Sequence, residues 1–322
     1  MLLAIAVFAV ACGDEASSQP SGAAEQPYVA ATTSIWADVA SELSCASDLE
    51  VVSVIPLGAD PHSFEPSLAD RATLEDASLI VANGLGLEEA IADTLEAVEA
   101  GGGTVVHVAE VAGVEALAGD GEDGEDHEEH GEHGEDGEDE HGHDHEGGDP
   151  HIWFDPTIVL ASLEPMSQVM AEMTGVDPAE LERCRQSFEA ELGELDAEIA
   201  TTVSAIRPER KKLVTNHDSL GYYAERYGFE IVGTVIPSSS SLAQASPGEL
   251  ADLADAVTAE GVDVLFAEEG LSDDDIDALA QRLDGVRVVT LQTGSLGEPG
   301  TATDSYVGFM NKLTTDITSA LE

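Results

Sequence analysis

The sequence predicts an α/β protein of two lobes, each a parallel-type sheet flanked by helices, joined by a long connecting helix. From Tyr28 onward, short β-branched runs alternate with amphipathic segments, the pattern of parallel strands linked by crossover helices. The alternation stops at Pro156 and resumes after Ile206, so it forms two series. With 322 residues and 43% apolar side chains, the chain has the length of two domains and the means to bury a sizeable core.

Taken in order, the chain starts with an apolar run, Met1 to Ala11. A bilayer-spanning helix needs roughly 20 residues, and this run has instead the length of a secretory h-region. Ala9-Val10-Ala11-Cys12 resembles a bacterial lipobox. Residues 1–12 are therefore expected to be a lipoprotein signal with Cys12 lipidated, and residues 13–27 a flexible tether. Export would leave Cys45 and Cys184 as an even pair in an oxidising compartment, where a disulfide between them is expected; two buried free thiols are the other reading.

The N-terminal lobe is read as residues 28–155. Its strands are expected at Tyr28 to Thr32, Val51 to Ile55, Leu79 to Ala82 and Thr104 to Val108, and its helices at Ser34 to Leu43, Ser67 to Glu75 and Leu87 to Val98. Residues 156–206 carry almost no strand signal but place Leu181, Phe188, Leu192, Leu195 and Ile199 at helical spacing. Gly175 and Pro178 should break this segment, and the rest should be the connecting helix. The C-terminal lobe, residues 207–322, repeats the alternation. Strands are expected at Lys212 to Thr215, Glu230 to Ile236, Val262 to Ala267 and Val286 to Thr290, with helices at Ser219 to Tyr227, Pro247 to Ala259, Asp273 to Leu283 and Asp304 to Leu321.

Charge narrows the partners. Against 66 acidic side chains stand only 11 Lys and Arg, a formal charge of -55. Binding nucleic acid needs cationic side chains to displace counterions, so that class is excluded, and docking on anionic lipid is disfavoured for the same reason. Cations are the favoured ligands. The segment 119–149 concentrates acidic residues together with His127, His130, His133, His141, His143 and His145. It has too little apolar surface to fold and is expected to be a disordered loop on the rim of the first lobe.

Outside that loop only His62, His107, His151 and His217 remain. His62 and His151 occur in the same tripeptide, Asp60-Pro61-His62 and Asp149-Pro150-His151, each after a Gly-containing turn. Proline sets the backbone before the ring, and the Asp can accept the ring N–H and so select the tautomer a metal ligand needs. His217, in Asn216-His217-Asp218, follows a strand, where α/β lobes place their ligands. From the residues alone, each of the three is as compatible with an ordinary loop histidine as with a ligand. His107 lies among valines and reads as a packed strand residue.

Four separated stretches resemble the landmark motifs of the zinc and manganese solute-binding lipoproteins of bacterial ABC importers. They are Gly58-Ala59-Asp60-Pro61-His62-Ser63-Phe64-Glu65-Pro66-Ser67, Asp149-Pro150-His151-Ile152-Trp153-Phe154-Asp155-Pro156, Thr215-Asn216-His217-Asp218 and Asp304-Ser305-Tyr306. They stand in that family's order, and the acidic histidine-rich insertion is similar to one in many zinc-type members. The resemblance implies an extracytoplasmic, lipid-anchored, monomeric binding protein, not an enzyme, that hands its cargo to a membrane permease. It also implies a cleft between the lobes in which His62, His151, His217 and Asp304 hold the cargo. Glu268 is the rival fourth ligand, Glu65 a weaker one, and water can also complete the shell. Manganese-type relatives usually carry Glu at the position of His217, so the implied cargo is Zn²⁺, as transported ligand.

Rival roles are manganese or nickel uptake within the same family, a metal-binding surface adhesin or general cation buffer, and a secreted zinc hydrolase. The hydrolase needs an open coordination position and a general base, and the chain has no His-Glu-x-x-His string. The loop histidines are expected to collect Zn²⁺ weakly for the cleft. Deleting residues 120–146 should then remove weak binding equivalents in calorimetry and spare the tight one. Unchanged stoichiometry would reject the collecting role.

Overall fold

Residues 26–114 and 148–322 are described in the computed structural model. Cys12 and the six histidines of the acidic segment lie outside them. The first lobe holds β1 (Tyr28–Ala31), α1 (Ser34–Leu43), β2 (Glu50–Ser53), α2 (Leu68–Glu75), β3 (Leu79–Ala82), α3 (Ala92–Ala100), β4 (Val105–His107) and the single turn α4 (Val108–Val111). Two long helices follow, α5 (Pro156–Thr174) and α6 (Pro178–Ser204). The second lobe holds β5 (Lys212–His217), α7 (Gly221–Tyr227), β6 (Glu230–Ile236), α8 (Pro247–Glu260), β7 (Val264–Glu268), α9 (Asp274–Arg282), β8 (Arg287–Leu291) and α10 (Tyr306–Leu321).

Each lobe has a four-stranded, wholly parallel sheet, in the orders β2-β1-β3-β4 and β6-β5-β7-β8. Both orders reverse direction beside the lobe's first strand. This creates a crevice at the carboxyl ends of β1 and β3 in one sheet and of β5 and β7 in the other. Parallel strands are covered on both faces, and β3 (Leu79–Ala82) and β7 are accordingly buried at every residue.

The two-lobed α/β architecture predicted from the alternation is the one found, and its departures are local. A helix expected from Leu87 begins as a 3₁₀ turn at Glu89–Ile91 and becomes α3 only at Ala92. The preceding Gly84-Leu85-Gly86 turn has positive φ at all three residues, 54° at Leu85. The Glu88 carboxylate folds back to accept the N–H groups of Asn83 and Gly84. The helix expected to open at Asp304 instead takes Ser305 as its N-cap, whose hydroxyl accepts from the Gly308 N–H.

Between the lobes, α5 ends at Gly175, whose φ of 72° closes the helix, and Asp177 and Pro178 restart the chain as α6. Along its 27 residues α6 buries one stripe: Leu181, Cys184, Phe188, Leu192, Leu195, Ile199 and Val203. Spacings of three and four put these on one face. That face packs against α1, α5, α7 and α10, so a single apolar cluster runs from Trp36 through Trp153 and Phe188 to Tyr223 and Phe309. Smaller clusters line the other face of each sheet.

Cys45, just past α1, is bonded to Cys184 in α6, with Cα atoms 5.8 Å apart and a sequence separation of 139. Closing so long a loop limits the unfolded chain. Replacing both cysteines by serine is expected to lower stability by about 2–4 kcal/mol, read as a lower urea midpoint with a steeper slope, since the unfolded chain becomes less compact. A midpoint equal to wild type would show that the bond contributes nothing.

Candidate metal centre

Three imidazoles meet where the lobes face each other. His62 lies in the loop between β2 and α2, His151 at the turn before α5, and His217 is the last residue of β5. The His151 Nε2 is 3.2 Å from His62 Nε2 and 3.1 Å from His217 Nε2. All three rings are buried, and each has one nitrogen within 4.8 Å of the others. The hollow above them is lined by Asp60, Pro61, Trp153, Ser219, Glu269 and the Gln292–Ser295 loop.

The fold explains each placement. In the first lobe, the crevice between β1 and β3 is filled by Asn83. Its side-chain NH₂ donates to the Pro150 carbonyl (2.8 Å), while its oxygen accepts from Trp36 Nε1 (2.9 Å). That pins the Asp149-Pro150-His151 turn. In the second lobe, Thr215 of β5 pairs with Phe266 of β7, so His217 and Glu268, two residues further on, stand together at the strands' carboxyl ends. The expected strand at Lys212 to Thr215 thus continues to His217, and the ring sits on a strand, not in a loop.

Carboxylates behind the rings choose the tautomers. His151 Nδ1 is 2.7 Å from Asp149 Oδ1, and His217 Nδ1 is 2.8 Å from Glu268 Oε1. With Nδ1–H donated backward, each Nε2 presents its lone pair to the centre. The other Glu268 oxygen accepts from the Ser219 hydroxyl (3.0 Å). The two matching tripeptides behave differently. Asp149 takes the ring of its histidine, whereas Asp60 accepts only the backbone N–H of His62 (3.1 Å), and His62 Nδ1 is buried with no hydrogen-bond partner.

Burial pushes the His62 pKa down to about 3, aided by the charge of a protonated His151, and burial likewise holds His151 well below the usual imidazole range. For His217 burial acts downward too, but the charge and hydrogen bond of Glu268 outweigh it and the pKa rises. Glu268 is the mirror case: burial opposes its ionisation, yet His217 holds its pKa below the ordinary value. Burial raises Asp149 to about 7.

Among the residues singled out from sequence, the structure brings His62, His151, His217 and Glu268 together. It does not bring Asp304 to them. The Asp304 side chain is exposed and accepts from the Gly300 N–H (2.7 Å), and it lines no part of the hollow, so the expected fourth ligand is corrected. Asp304 belongs to the expected set through the resemblance of Asp304-Ser305-Tyr306 to a family motif, but in this structure its position is part of a surface turn. Glu268 is present behind His217 and not beside the other rings. His107 pairs with Glu99 at 3.2 Å, away from the centre. Sequence reasoning missed Ser219, Asn83 and the Gln292–Ser295 loop, for which only their places after strands were a signal.

These shifts set the pH dependence of cation binding. Burial keeps His62 and His151 neutral near pH 7, whereas the raised pKa of His217 makes it the ring on which a cation competes with a proton, and Asp149, raised to about 7, must be ionised to face a charged centre. Affinity therefore falls as pH drops through the range of His217. Binding near pH 7 should release fewer than three protons per ion, drawn from His217 and Asp149 and not from His62 or His151. Calorimetry in buffers of different ionisation enthalpy measures that number, and a value near three would contradict the assignment.

Comparison with known proteins agrees with this geometry. Residues 29–320 match the family described as ZnuA, zinc-uptake complex component A, periplasmic. The zinc-binding protein TroA of Treponema pallidum is 25% identical over 310 residues, covering 94% of this chain and 92% of that protein. The manganese-binding lipoprotein MntA of Bacillus subtilis is 25% identical over 333 residues, covering 100% and 99%. The high-affinity zinc uptake protein ZnuA of Bacillus subtilis is 31% identical over 247 residues, covering 76% and 71%. The solved structure of Treponema pallidum TroA superposes with a TM-score of 0.78 at 24% identity, over 92% of this chain and 99% of that one. With the family match spanning both lobes and three buried imidazoles converging between them, this chain belongs to the ZnuA family of metal-binding components of ABC transporters.

Proposed function

We propose that this protein captures Zn²⁺ outside the cytoplasm and delivers it to the membrane permease of an ABC importer. The observation that carries the choice of ion is the donor set: three imidazole Nε2 atoms spaced by 3.1 and 3.2 Å along two of their edges. A tetrahedral Zn²⁺ with bonds of ~2.0–2.1 Å holds its nitrogens roughly 3.3 Å apart, close to these separations. Manganese favours oxygen donors, and while Asp149 is committed to His151, the carboxylate of Glu268 is committed to His217 and Ser219. Its role in this reading is to orient His217, and solvent completes the shell through the hollow. The relatives named above bind zinc in two cases and manganese in one, so uptake of manganese is the second reading.

The ion enters as cargo and the protein is its carrier, not a catalyst. Two imidazoles come from the first lobe and one from the second, so a bound ion stabilises the state in which the lobes touch. Cys12 as lipid anchor keeps the carrier beside the permease, and the chain acts as a monomer. No described helix is long and apolar enough to cross a membrane.

Metal analysis of protein purified without added metal tests the reading. One tightly held Zn²⁺ per chain is expected, displaced by Mn²⁺ only at large excess. The variant His217→Ala is expected to lose more than about 100-fold in Zn²⁺ affinity, exceeding the 10–100-fold typical of a residue that merely supports a ligand. Preference for Mn²⁺ over Zn²⁺ would establish the second reading. An unchanged affinity in His217→Ala would overturn the ligand set.

A further inference from the structure

Asp60 does not serve His62 in the way that Asp149 serves His151, and the difference points across the cleft. Its Oδ1 accepts the His62 backbone N–H at 3.1 Å, and its Oδ2 accepts the hydroxyl of Ser241 at 2.6 Å. Ser241 belongs to the loop after β6 in the second lobe, 181 residues away in sequence. The same loop is tied to the other side of the metal centre, because the Ser238 carbonyl accepts the N–H of Asp218, next to His217 (3.0 Å). Inside the loop, Ser238 and Ser240 hydroxyls accept the N–H groups of Ser240 and Leu242, which gives it a set shape.

Two further loops of the second lobe press on the same turn. A Cβ at Gly294 would lie 3.2 Å from Pro61 Cδ, and one at Gly270, whose φ is 90°, would lie 3.2 Å from the Gly58 carbonyl oxygen. The Gly58 N–H donates to Ser295 Oγ at 2.8 Å. The turn that carries His62 is therefore held from the opposite lobe, while the His62 ring itself has a free, buried Nδ1. His151 and His217 are each oriented by a carboxylate of their own lobe.

We infer that Ser241 is a positioning residue: by holding Asp60 across the cleft it fixes the turn bearing His62, and so sets how fast a bound cation is released when the lobes part. This rests on the proposed Zn²⁺ capture and adds an order to it. His62 is the first ligand to leave, since opening the cleft breaks the Ser241–Asp60 contact that steadies its turn, and no carboxylate holds its Nδ1 in the way that Asp149 and Glu268 hold those of His151 and His217.

The test is the rate at which the full chain, loaded with Zn²⁺, gives the ion up to a chromophoric chelator. Ser241→Ala is expected to release about tenfold faster than wild type, as befits the loss of a hydrogen bond to a charged group. Ser241→Thr, which keeps the hydroxyl, should restore a rate near wild type. In an Asp60→Ala background the Ser241→Ala change should add nothing, because its effect passes through Asp60. A wild-type chain that holds no Zn²⁺ overturns the functional reading together with this one. A wild type that holds Zn²⁺ while Ser241→Ala releases it at the wild-type rate, or speeds release equally with and without Asp60, overturns the latch alone.

Discussion

Nitrogen lone pairs about 3 Å apart repel unless something positive lies among them, and the structure rests on satisfying that constraint. The His151 and His217 rings are turned inward by carboxylates that accept their Nδ1 protons. They face a third buried ring. Of the three rings His217, its pKa raised by Glu268, is the one on which a proton best meets the constraint. A divalent ion meets it better, which is why so unfavourable an arrangement serves as a binding site. The buried carboxylate of Glu268, held ionised by His217, supplies compensating charge at close range.

Holding such a centre requires a scaffold that does not relax. Parallel sheets buried on both faces provide one, and their crevices supply positions for side chains with little freedom to turn. Glu268 and His217 come from adjacent strands, so their spacing follows from the sheet itself. His151 depends on Asn83 and His62 on contacts from the other lobe. A continuous apolar cluster through α6 joins the lobes, and separating them far would expose it. Small movements at the cleft are therefore the accessible ones, and a rim of hydrogen bonds such as Ser241 to Asp60 is the place where they are felt.

The negative surface charge works at longer range. With an excess of acidic groups over the whole chain, cations are concentrated near the molecule before they meet the cleft, although salt screens this beyond roughly 8–10 Å. Selectivity has a different origin, in the softness and number of the donors that close on the ion.

The alternation of β-branched runs and amphipathic segments was enough to determine two α/β lobes and the helical segment between them, because side-chain periodicity is a local property. Repeated Asp-Pro-His strings and a histidine after a strand left ligand and ordinary loop histidine equally open, because proline and strand termini act only within a few residues; the resemblance of four separated motifs to a known family is what singled out the three rings that the structure brings together. Tertiary structure alone decided the rest. Asp304 faces solvent and Glu268 faces His217 because strand neighbours are chosen by the topology of the sheet, not by order in the chain. Likewise, two identical tripeptides acquired different duties when one came to lie opposite Ser241, a contact between residues 181 positions apart that no local pattern contains.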